Sequence, residues 1–161
     1  MALAPITGVV HISLPVNDLK ESIAFYAEVL GFTERGRIGI DGFCLMAGST
    51  PIILTQRPQP LAPEQALAQV GQLCHQAFYI QTEDYDAAQI KLRERGIPID
   101  GEDWRKTGVF TGRSFYFFDP SGNRLELNDP TPPFWPENLE EAQAQGPRQR
   151  HWDAMGFKKD E

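Results

Sequence analysis

Basic residues are few in this chain of 161 residues, which has 15 Lys and Arg against 22 Asp and Glu and a formal net charge of −7. No cluster of Lys and Arg lies along the sequence, so nucleic acid and anionic membrane surfaces are not expected as partners. Long apolar runs are missing as well, since no stretch approaches the ~20 apolar residues of a membrane span. The first residues lack the basic start and apolar region of a signal peptide, and we therefore expect a cytoplasmic protein.

Cysteine is equally scarce, and the two residues, Cys44 and Cys74, show neither CxxC spacing nor a disulfide framework. Each lies in or beside an apolar run, which predicts reduced thiols in the core. The chain does contain 41% hydrophobic and 11% aromatic residues, which is enough for one globular domain with a core of its own.

The strongest local pattern is a β-hairpin near residue 120. An aromatic strand leads into Asp119-Pro120-Ser121-Gly122, which has the residues of a type I turn. The strand that follows alternates, with Leu125 and Leu127 on one face and Glu126 on the other. Glu126 is then either a solvent-facing residue of an edge strand or a carboxylate held rigidly among aromatic side chains.

The whole pattern occurs twice, which predicts an internal repeat of strand, helix and three strands. A strand before residue 17, a helix capped by Asp18 and ended by Gly31, and three short β segments form the first copy. In the second copy His75 takes the place of His11, and Gly96 ends the helix as Gly31 does in the first.

We therefore predict an α+β fold of two tandem βαβββ modules, which form a cleft between curved sheets with the helices outside. The predicted domain covers residues 6–128, with modules at about 6–57 and 73–128. Residues 129–161 form a Pro-rich C-terminal extension, which is either disordered or docked on the body.

Three residues of this arrangement form a candidate metal site: His11, His75 and Glu126. Two of the three histidines in the chain occupy repeat-equivalent positions, although a single histidine on a strand is more often a structural polar group. Two imidazoles and one carboxylate suit Fe(II) or Mn(II) first, and also Zn(II) or Ni(II). Such a set leaves coordination positions open for a substrate.

The sequence resembles the vicinal oxygen chelate superfamily, which includes glyoxalase I, extradiol dioxygenases, fosfomycin-modifying enzymes and bleomycin-binding proteins. The resemblance covers roughly residues 6–128 and depends on the segments His11–Leu19, Ala24–Phe32 and Phe118–Leu127. It implies that His11, His75 and Glu126 bind a divalent metal, that the substrate is a small molecule with two neighbouring oxygens, and that the protein is a homodimer.

The members of the superfamily differ at positions that can be compared with this chain. Glyoxalase I enzymes have a fourth ligand, a Glu, where this chain has Ile53, which disfavours their reaction. Extradiol dioxygenases have a tyrosine where Tyr116 stands, and this reaction is our first specific expectation. They also use further active-site histidines, however, and only His151 remains here for that role.

Fosfomycin-modifying enzymes are the principal alternative. They resemble this chain around Lys106, Ser114 and Tyr116, and they have a hydroxyl residue where Ser13 stands. The resemblance makes Tyr116 a catalytic residue and Ser13, Lys106 and Ser114 substrate contacts. These enzymes also have a basic residue soon after the ligand Glu, whereas the next one in this chain is Arg148. A metal-free binding or resistance protein is the non-enzymatic alternative.

Overall fold

The computed structural model of the protein describes residues 8–62, 65, 74–105 and 111–130. The chain divides into two compact units. The first contains Met1–Gln69 together with Phe118–Asn123, and the second contains Val70–Phe117 together with Arg124–Glu161. Lys106, most of the connector between the units and the extension beyond residue 130 lie outside the described residues.

The first unit contains one four-stranded sheet and one helical segment. Helix α1, Leu19–Ala24, continues into a wider π-helical turn at Phe25–Val29. The strands of this unit are β1 (Ile12–Val16), β2 (Thr33–Ile38), β3 (Gly42–Ala47) and β4 (Thr50–Gln56). Their order is β1-β4-β3-β2, with β1 parallel to β4 and the other pairs antiparallel.

The second unit repeats this plan. A short 3₁₀ turn at Thr82–Asp84 precedes helix α2, Tyr85–Glu94. The strands are β5 (Gln76–Tyr79), β6 (Gly101–Arg105), β7 (Gly112–Phe118) and β8 (Arg124–Asp129). Their order is β5-β8-β7-β6, which matches the first sheet strand for strand. The matching strand orders of the two units confirm the predicted α+β fold of two βαβββ modules.

Local sequence signals set the ends of both helical segments. The Asp18 carboxylate accepts a hydrogen bond from the backbone N–H of Glu21 at 2.8 Å, as predicted for an N-cap. Gly31 and Gly96 follow the two helices with φ of 72° and 73°, a left-handed conformation that glycine adopts without strain. Within the described residues, no helix is long and apolar enough to cross a membrane.

The register of the strands confirms the internal repeat. In the first sheet Ser13 of β1 lies beside Ile53 of β4, and in the second Ala77 of β5 lies beside Glu126 of β8. His11 directly precedes β1 just as His75 directly precedes β5. Ile53 is therefore the repeat equivalent of Glu126, and the first sheet has an apolar side chain where the second has a carboxylate.

Each unit buries apolar side chains of its own. The fully or nearly fully buried residues of the first unit include Leu14, Val16, Tyr26, Leu45, Ile52 and Leu54. Those of the second unit include Tyr85, Leu92, Phe115, Phe117 and Leu125. In the second unit the Tyr85 ring of α2 meets the Phe115 ring edge-on at 5.1 Å, so the helix packs on one face of this sheet. The opposite face of this sheet is free to carry polar groups.

The tip of the last hairpin is held inside the first unit by a buried carboxylate. Asp119 is 4% exposed, and it accepts hydrogen bonds from the Tyr26 hydroxyl at 2.9 Å and from Nδ2 of Asn123 at 2.7 Å. Its other oxygen accepts from the backbone N–H groups of Ser121 and Asn123. Gly122 has φ of 81° and donates to the Asp119 carbonyl at 3.1 Å, which confirms the predicted turn.

One sequence-based expectation about burial is wrong. Cys74 is exposed and Cys44 is half-buried, so the two thiols are not both in the core. Of the two alternatives left open for Glu126, the structure shows the buried carboxylate, because β8 lies between β5 and β7 and the residue is 3% exposed.

Candidate functional site

One face of the second sheet carries a group of polar side chains. Because side chains alternate along a strand, Glu126 and Asn128 of β8 share a face, as do Ser114 and Tyr116 of β7. On the outer strand β6, Asp103 lies beside Ser114 and belongs to the same face. This face is the one turned away from α2.

The centre of the group is the pair of His75 and Glu126. Nε2 of His75 lies 2.7 Å from Oε2 of Glu126. The Glu126 side chain is 4% exposed and that of His75 is 26% exposed, so the imidazole separates the buried carboxylate from solvent. The sequence placed these two residues together as metal ligands, and the structure brings them into direct contact.

The second oxygen of Glu126 has different partners. The Ser114 hydroxyl donates a hydrogen bond to Oε1 at 2.5 Å, and Nη2 of Arg105 donates to the same atom at 2.9 Å. The two carboxylate oxygens therefore have separate surroundings, with the imidazole at Oε2 and the donors of β6 and β7 at Oε1.

Arg105 is a residue of the site that sequence reasoning missed. Besides Glu126, its Nη2 donates to Ser114 Oγ and to the Tyr116 hydroxyl, both at 3.2 Å. Its Nε lies 3.1 Å from Oδ2 of Asp103, an ion pair that also holds the guanidinium in place. The alternation of Asp103 and Arg105 around Trp104 was the signal for a strand with both charges on one face.

These contacts set the protonation states of two groups. Burial by itself would raise the pKa of Glu126, but the hydrogen bonds from His75 and Ser114 and the charge of Arg105 outweigh it and lower the pKa to about 2. Burial, followed by the negative charge of Glu126, raises the pKa of Tyr116 to about 12. At neutral pH the site therefore contains a carboxylate and a phenol that keeps its proton.

The ring of Tyr116 is fixed from two sides. The Arg124 guanidinium lies over it at 4.2 Å from the ring centre, a cation–π contact. The His75 ring meets it edge-on at 5.5 Å. Arg124 is in turn paired with Asp100 at 3.0 Å. Tyr116 is 4% exposed, so its hydroxyl is held beside the pair of His75 and Glu126.

A cavity of about 370 Å³ opens at this group. The residues that line it are His75, Ala77, Phe78, Tyr79, Arg105, Glu126 and Asn128. The lining thus combines the charged side chains of Arg105 and Glu126 with side chains of the neighbouring strand β5. Ala77, directly beside Glu126 in the register, leaves room for a small molecule next to the carboxylate.

The other predicted site residues lie elsewhere or outside the described residues. His11 and Ser13 belong to the first unit and are exposed. Lys106 lies outside the described residues. Within the part of the chain that the structure describes, no three His, Cys, Asp or Glu side chains form a group that could hold a metal ion. The structure thus brings together two of the three predicted ligands, together with Ser114 and Tyr116.

The chemistry of His75 and Glu126 suits a divalent ion. An imidazole nitrogen and an ionised carboxylate are donors that Mn(II), Fe(II), Ni(II) and Zn(II) accept. Two ligand atoms bound at right angles to one ion, with bonds of about 2.1 Å, lie about 3 Å apart. The 2.7 Å between Nε2 of His75 and Oε2 of Glu126 is close to that separation. The separation of the two atoms is therefore compatible with two neighbouring ligands of one metal.

Comparisons with known proteins identify relatives of this chain. A glutathione transferase FosA of Serratia marcescens is 32% identical over 120 residues, which is 73% of this chain and 77% of that protein. A crystal structure of the fosfomycin resistance protein FosX of Listeria monocytogenes has a TM-score of 0.65 at 25% identity, covering 79% of this chain and 94% of that chain. A variant of the same FosX, solved with Mn(II) and 1S,2S-dihydroxypropylphosphonic acid, has a TM-score of 0.64 at 24% identity, covering 80% of this chain and 95% of that chain.

These relatives do not support our first specific expectation, an extradiol dioxygenase, and they favour the fosfomycin-type alternative. A family model described as the Glyoxalase/Bleomycin resistance protein/Dioxygenase superfamily matches residues 8–127. The chain belongs to this superfamily, the vicinal oxygen chelate proteins, as the resemblance of its motifs predicted.

Proposed function

We propose that this protein is a metal-dependent enzyme that opens the epoxide ring of a small phosphonate of the fosfomycin type, by addition of a thiol or water. The observation that carries the proposal is the Arg105 guanidinium beside the buried pair of His75 and Glu126, at the wall of a cavity. A cation next to metal ligands suits a substrate that has an anionic group close to a reactive oxygen. Relatives named FosA and FosX support this substrate class.

The metal is held by His75 and Glu126 of the second unit and by His11 as the third ligand. His11 is proposed because it occupies the repeat-equivalent position of His75, directly before the first strand of its sheet. Mn(II) is the first candidate, because FosX was solved with this ion, and Fe(II), Zn(II) and Ni(II) are the others. When bound, the ion polarises the ring oxygen of the substrate.

The side chains of this protein have separate tasks in such a reaction. Arg105 receives the anionic phosphonate, and the protonated Tyr116 hydroxyl donates a hydrogen bond to a substrate oxygen as negative charge develops there. The nucleophile bonds to one ring carbon while the bond between that carbon and the ring oxygen breaks. The oxygen keeps the electron pair and takes up the proton that the thiol or water releases. Ser13 and Lys106 remain proposed substrate contacts on the strength of the resemblance.

The protein acts as a homodimer in this proposal. Strands β1 and β5 stand at the ends of their sheets. Exposed apolar side chains accompany these strands, with Val10 at 80% and Tyr79 at 64% exposure. Edge strands with exposed apolar side chains favour association with another chain. Light scattering at micromolar concentration tests this assembly, and a monomer would contradict it.

A mixing experiment determines which chain supplies His11. His11→Ala and Glu126→Ala variants each lack one proposed ligand, and both are expected to be inactive alone. If His11 acts with His75 and Glu126 of a second copy, a mixed dimer contains one intact site and activity returns. If all three ligands come from one chain, the mixture stays inactive. Activity of the unmixed His11→Ala protein would exclude His11 as a ligand.

The reaction itself is tested by ³¹P NMR of fosfomycin with the full chain. The substrate signal should disappear in the presence of Mn(II), either with added glutathione as the nucleophile or in buffer, where water is the nucleophile. It should persist when a chelator removes the metal. The product signal distinguishes thiol addition from hydrolysis. An unchanged fosfomycin signal with fully Mn(II)-loaded protein and both nucleophiles would reject the proposed reaction.

A further inference from the structure

We propose that Ser114 and Asn128 are positioning residues, which hold Oε1 of Glu126 so that Oε2 is the oxygen presented to the metal beside His75. This inference rests on the proposed metal site and goes beyond it, because it assigns separate tasks to the two oxygens of one carboxylate. It also replaces the substrate contact that the sequence resemblance implied for Ser114.

The hydrogen bonds run in one direction. Nδ2 of Asn128 donates to Ser114 Oγ at 2.8 Å, and Ser114 Oγ lies 2.5 Å from Oε1 of Glu126. An amide NH₂ group cannot accept, and an ionised carboxylate cannot donate, so the single hydroxyl proton of Ser114 points to Glu126. Nδ2 of Asn128 also lies 3.5 Å from the carbonyl oxygen of Arg113, an acceptor that keeps the amide in this orientation.

Burial makes this arrangement specific. Ser114 is 0% exposed and Glu126 is 3% exposed, so a water molecule cannot easily take the place of the hydroxyl. A carboxylate with two free oxygens can bind an ion through either oxygen or through both. Two donors at Oε1, Ser114 and Arg105, leave Oε2 as the oxygen that meets the imidazole at 2.7 Å. Hydrogen bonds to ligating carboxylates of this kind orient the ligand and strengthen metal binding.

The position of Ser114 does not suit contact with a substrate. Its hydroxyl is engaged by Glu126, Asn128 and Arg105, and it lies beneath the carboxylate rather than at the cavity wall. The polar residues that line the cavity include Arg105, Glu126 and Asn128, but not Ser114. Ser114 therefore acts through Glu126.

The first variant for a test is Ser114→Ala, which removes the hydroxyl and little volume. Arg105 still donates to Oε1 in this variant, so the carboxylate keeps a partner and the fold is expected to persist. Ser114→Thr restores the hydroxyl. Asn128→Leu removes the amide that donates to the Ser114 hydroxyl, and it tests the positioning role independently of Ser114→Ala. Ser121→Ala is the matched control, because Ser121 is a hydrogen-bonded serine, 1% exposed, in the first unit.

Two quantities are measured. The first is the Mn(II) affinity of the full chain, which the EPR signal of free Mn(II) reports. The second is the melting temperature of the metal-free protein. Ser114→Ala should weaken Mn(II) binding by about 10–100-fold, Asn128→Leu should weaken it in the same direction, and Ser114→Thr should recover most of the loss. Ser121→Ala should lower the melting temperature without changing the affinity.

The outcomes separate this inference from the proposed function. Wild-type affinity in both Ser114→Ala and Asn128→Leu, with binding abolished by His75→Ala, would overturn the positioning role and leave the metal site intact. An affinity loss in Ser121→Ala equal to that in Ser114→Ala would also overturn it, since the effect would then follow from stability. Absence of Mn(II) binding by the wild-type protein would instead reject the metal site of the proposed function.

Discussion

Nε2 of His75 lies 2.7 Å from Oε2 of Glu126, although the two residues are 51 positions apart in the chain, as 126 − 75 gives. Glu126 belongs to β8, and His75 directly precedes β5. Strand β5 runs parallel to β8 and begins one residue after His75, so the imidazole stands beside the carboxylate. The contact joins the half-buried imidazole of His75, at the cavity wall, to the buried carboxylate of Glu126.

Replacing the carboxylate of Glu126 should remove metal binding. Glu126→Gln keeps the shape of the side chain but loses the charge that His75, Ser114 and Arg105 stabilise. We expect the loss of Mn(II) affinity to exceed the about 10–100-fold effect of an outer hydrogen-bonding partner. Isothermal titration of the full chain with Mn(II) measures it.

Glu102→Gln is the control for that titration. Glu102 is about half exposed and pairs with Arg93 at 3.2 Å, so the variant removes one negative charge from the same unit without touching the site. Its Mn(II) affinity should equal that of the wild type. Equal affinities of the Glu126→Gln and wild-type proteins would show that Glu126 is not a ligand.

Removing the charge of Arg105 should impair substrate binding more than metal binding. Arg105→Gln loses a charged donor that faces the cavity, and hydrogen bonds to charged groups contribute about 1.5–3 kcal/mol. We therefore expect kcat/KM for fosfomycin to fall by roughly 10–100-fold, mainly through a higher KM, while the protein still binds Mn(II).

The matched control for Arg105 is Arg93→Gln, which removes an arginine with a 53% exposed side chain that pairs with Glu102. It should leave kcat/KM unchanged. If Arg105→Gln changed kcat alone, with KM as in the wild type, the guanidinium would not be the group that binds the phosphonate.

Loss of the Tyr116 hydroxyl should slow turnover. Tyr116→Phe keeps the ring that contacts Arg124 and His75, and it removes the hydroxyl next to Arg105. If that hydroxyl stabilises developing charge, kcat should fall by about 10²–10³-fold, the usual effect of one such donor. Single-turnover kinetics with Mn(II)-loaded protein measure the chemical step.

Tyr85→Phe serves as the control, since Tyr85 packs against Phe115 on the opposite face of the sheet. It should keep the wild-type kcat. A Tyr116→Phe protein with wild-type kcat would leave Tyr116 with a structural role only.

The buried hydrogen bond between Tyr26 and Asp119 should stabilise the first unit. Burial raises the pKa of Asp119 and, together with the nearby carboxylate, that of Tyr26, so each group depends on its partner. Tyr26→Phe leaves the ring in the core and removes one donor to Asp119, at an expected cost of about 1–3 kcal/mol. Urea unfolding measures this loss.

Tyr79→Phe provides the comparison for that experiment because Tyr79 is 64% exposed. Its free energy of unfolding should change little, as is usual for exposed positions. A Tyr26→Phe protein as stable as the wild type would show that the hydroxyl contributes nothing net.

The sequence by itself determined the local elements and their repetition. Asp18 caps a helix, and Gly31 and Gly96 end helices in the left-handed conformation, because these effects depend on neighbouring residues along the chain. The pairing of His75 with Glu126 could also be predicted, since the repeat and the family motif both indicate it.

Only the tertiary structure decided how the polar face is built. The burial of Glu126 depends on β8 lying between β5 and β7, and that order is set by contacts between distant segments. The same order places Ser114 beneath the carboxylate and Arg105 beside it, although neither residue is close to Glu126 in the sequence. Cys74 is exposed for a related reason: it precedes the strand that begins at Gln76, and so an apolar neighbourhood in sequence does not become a buried one in space.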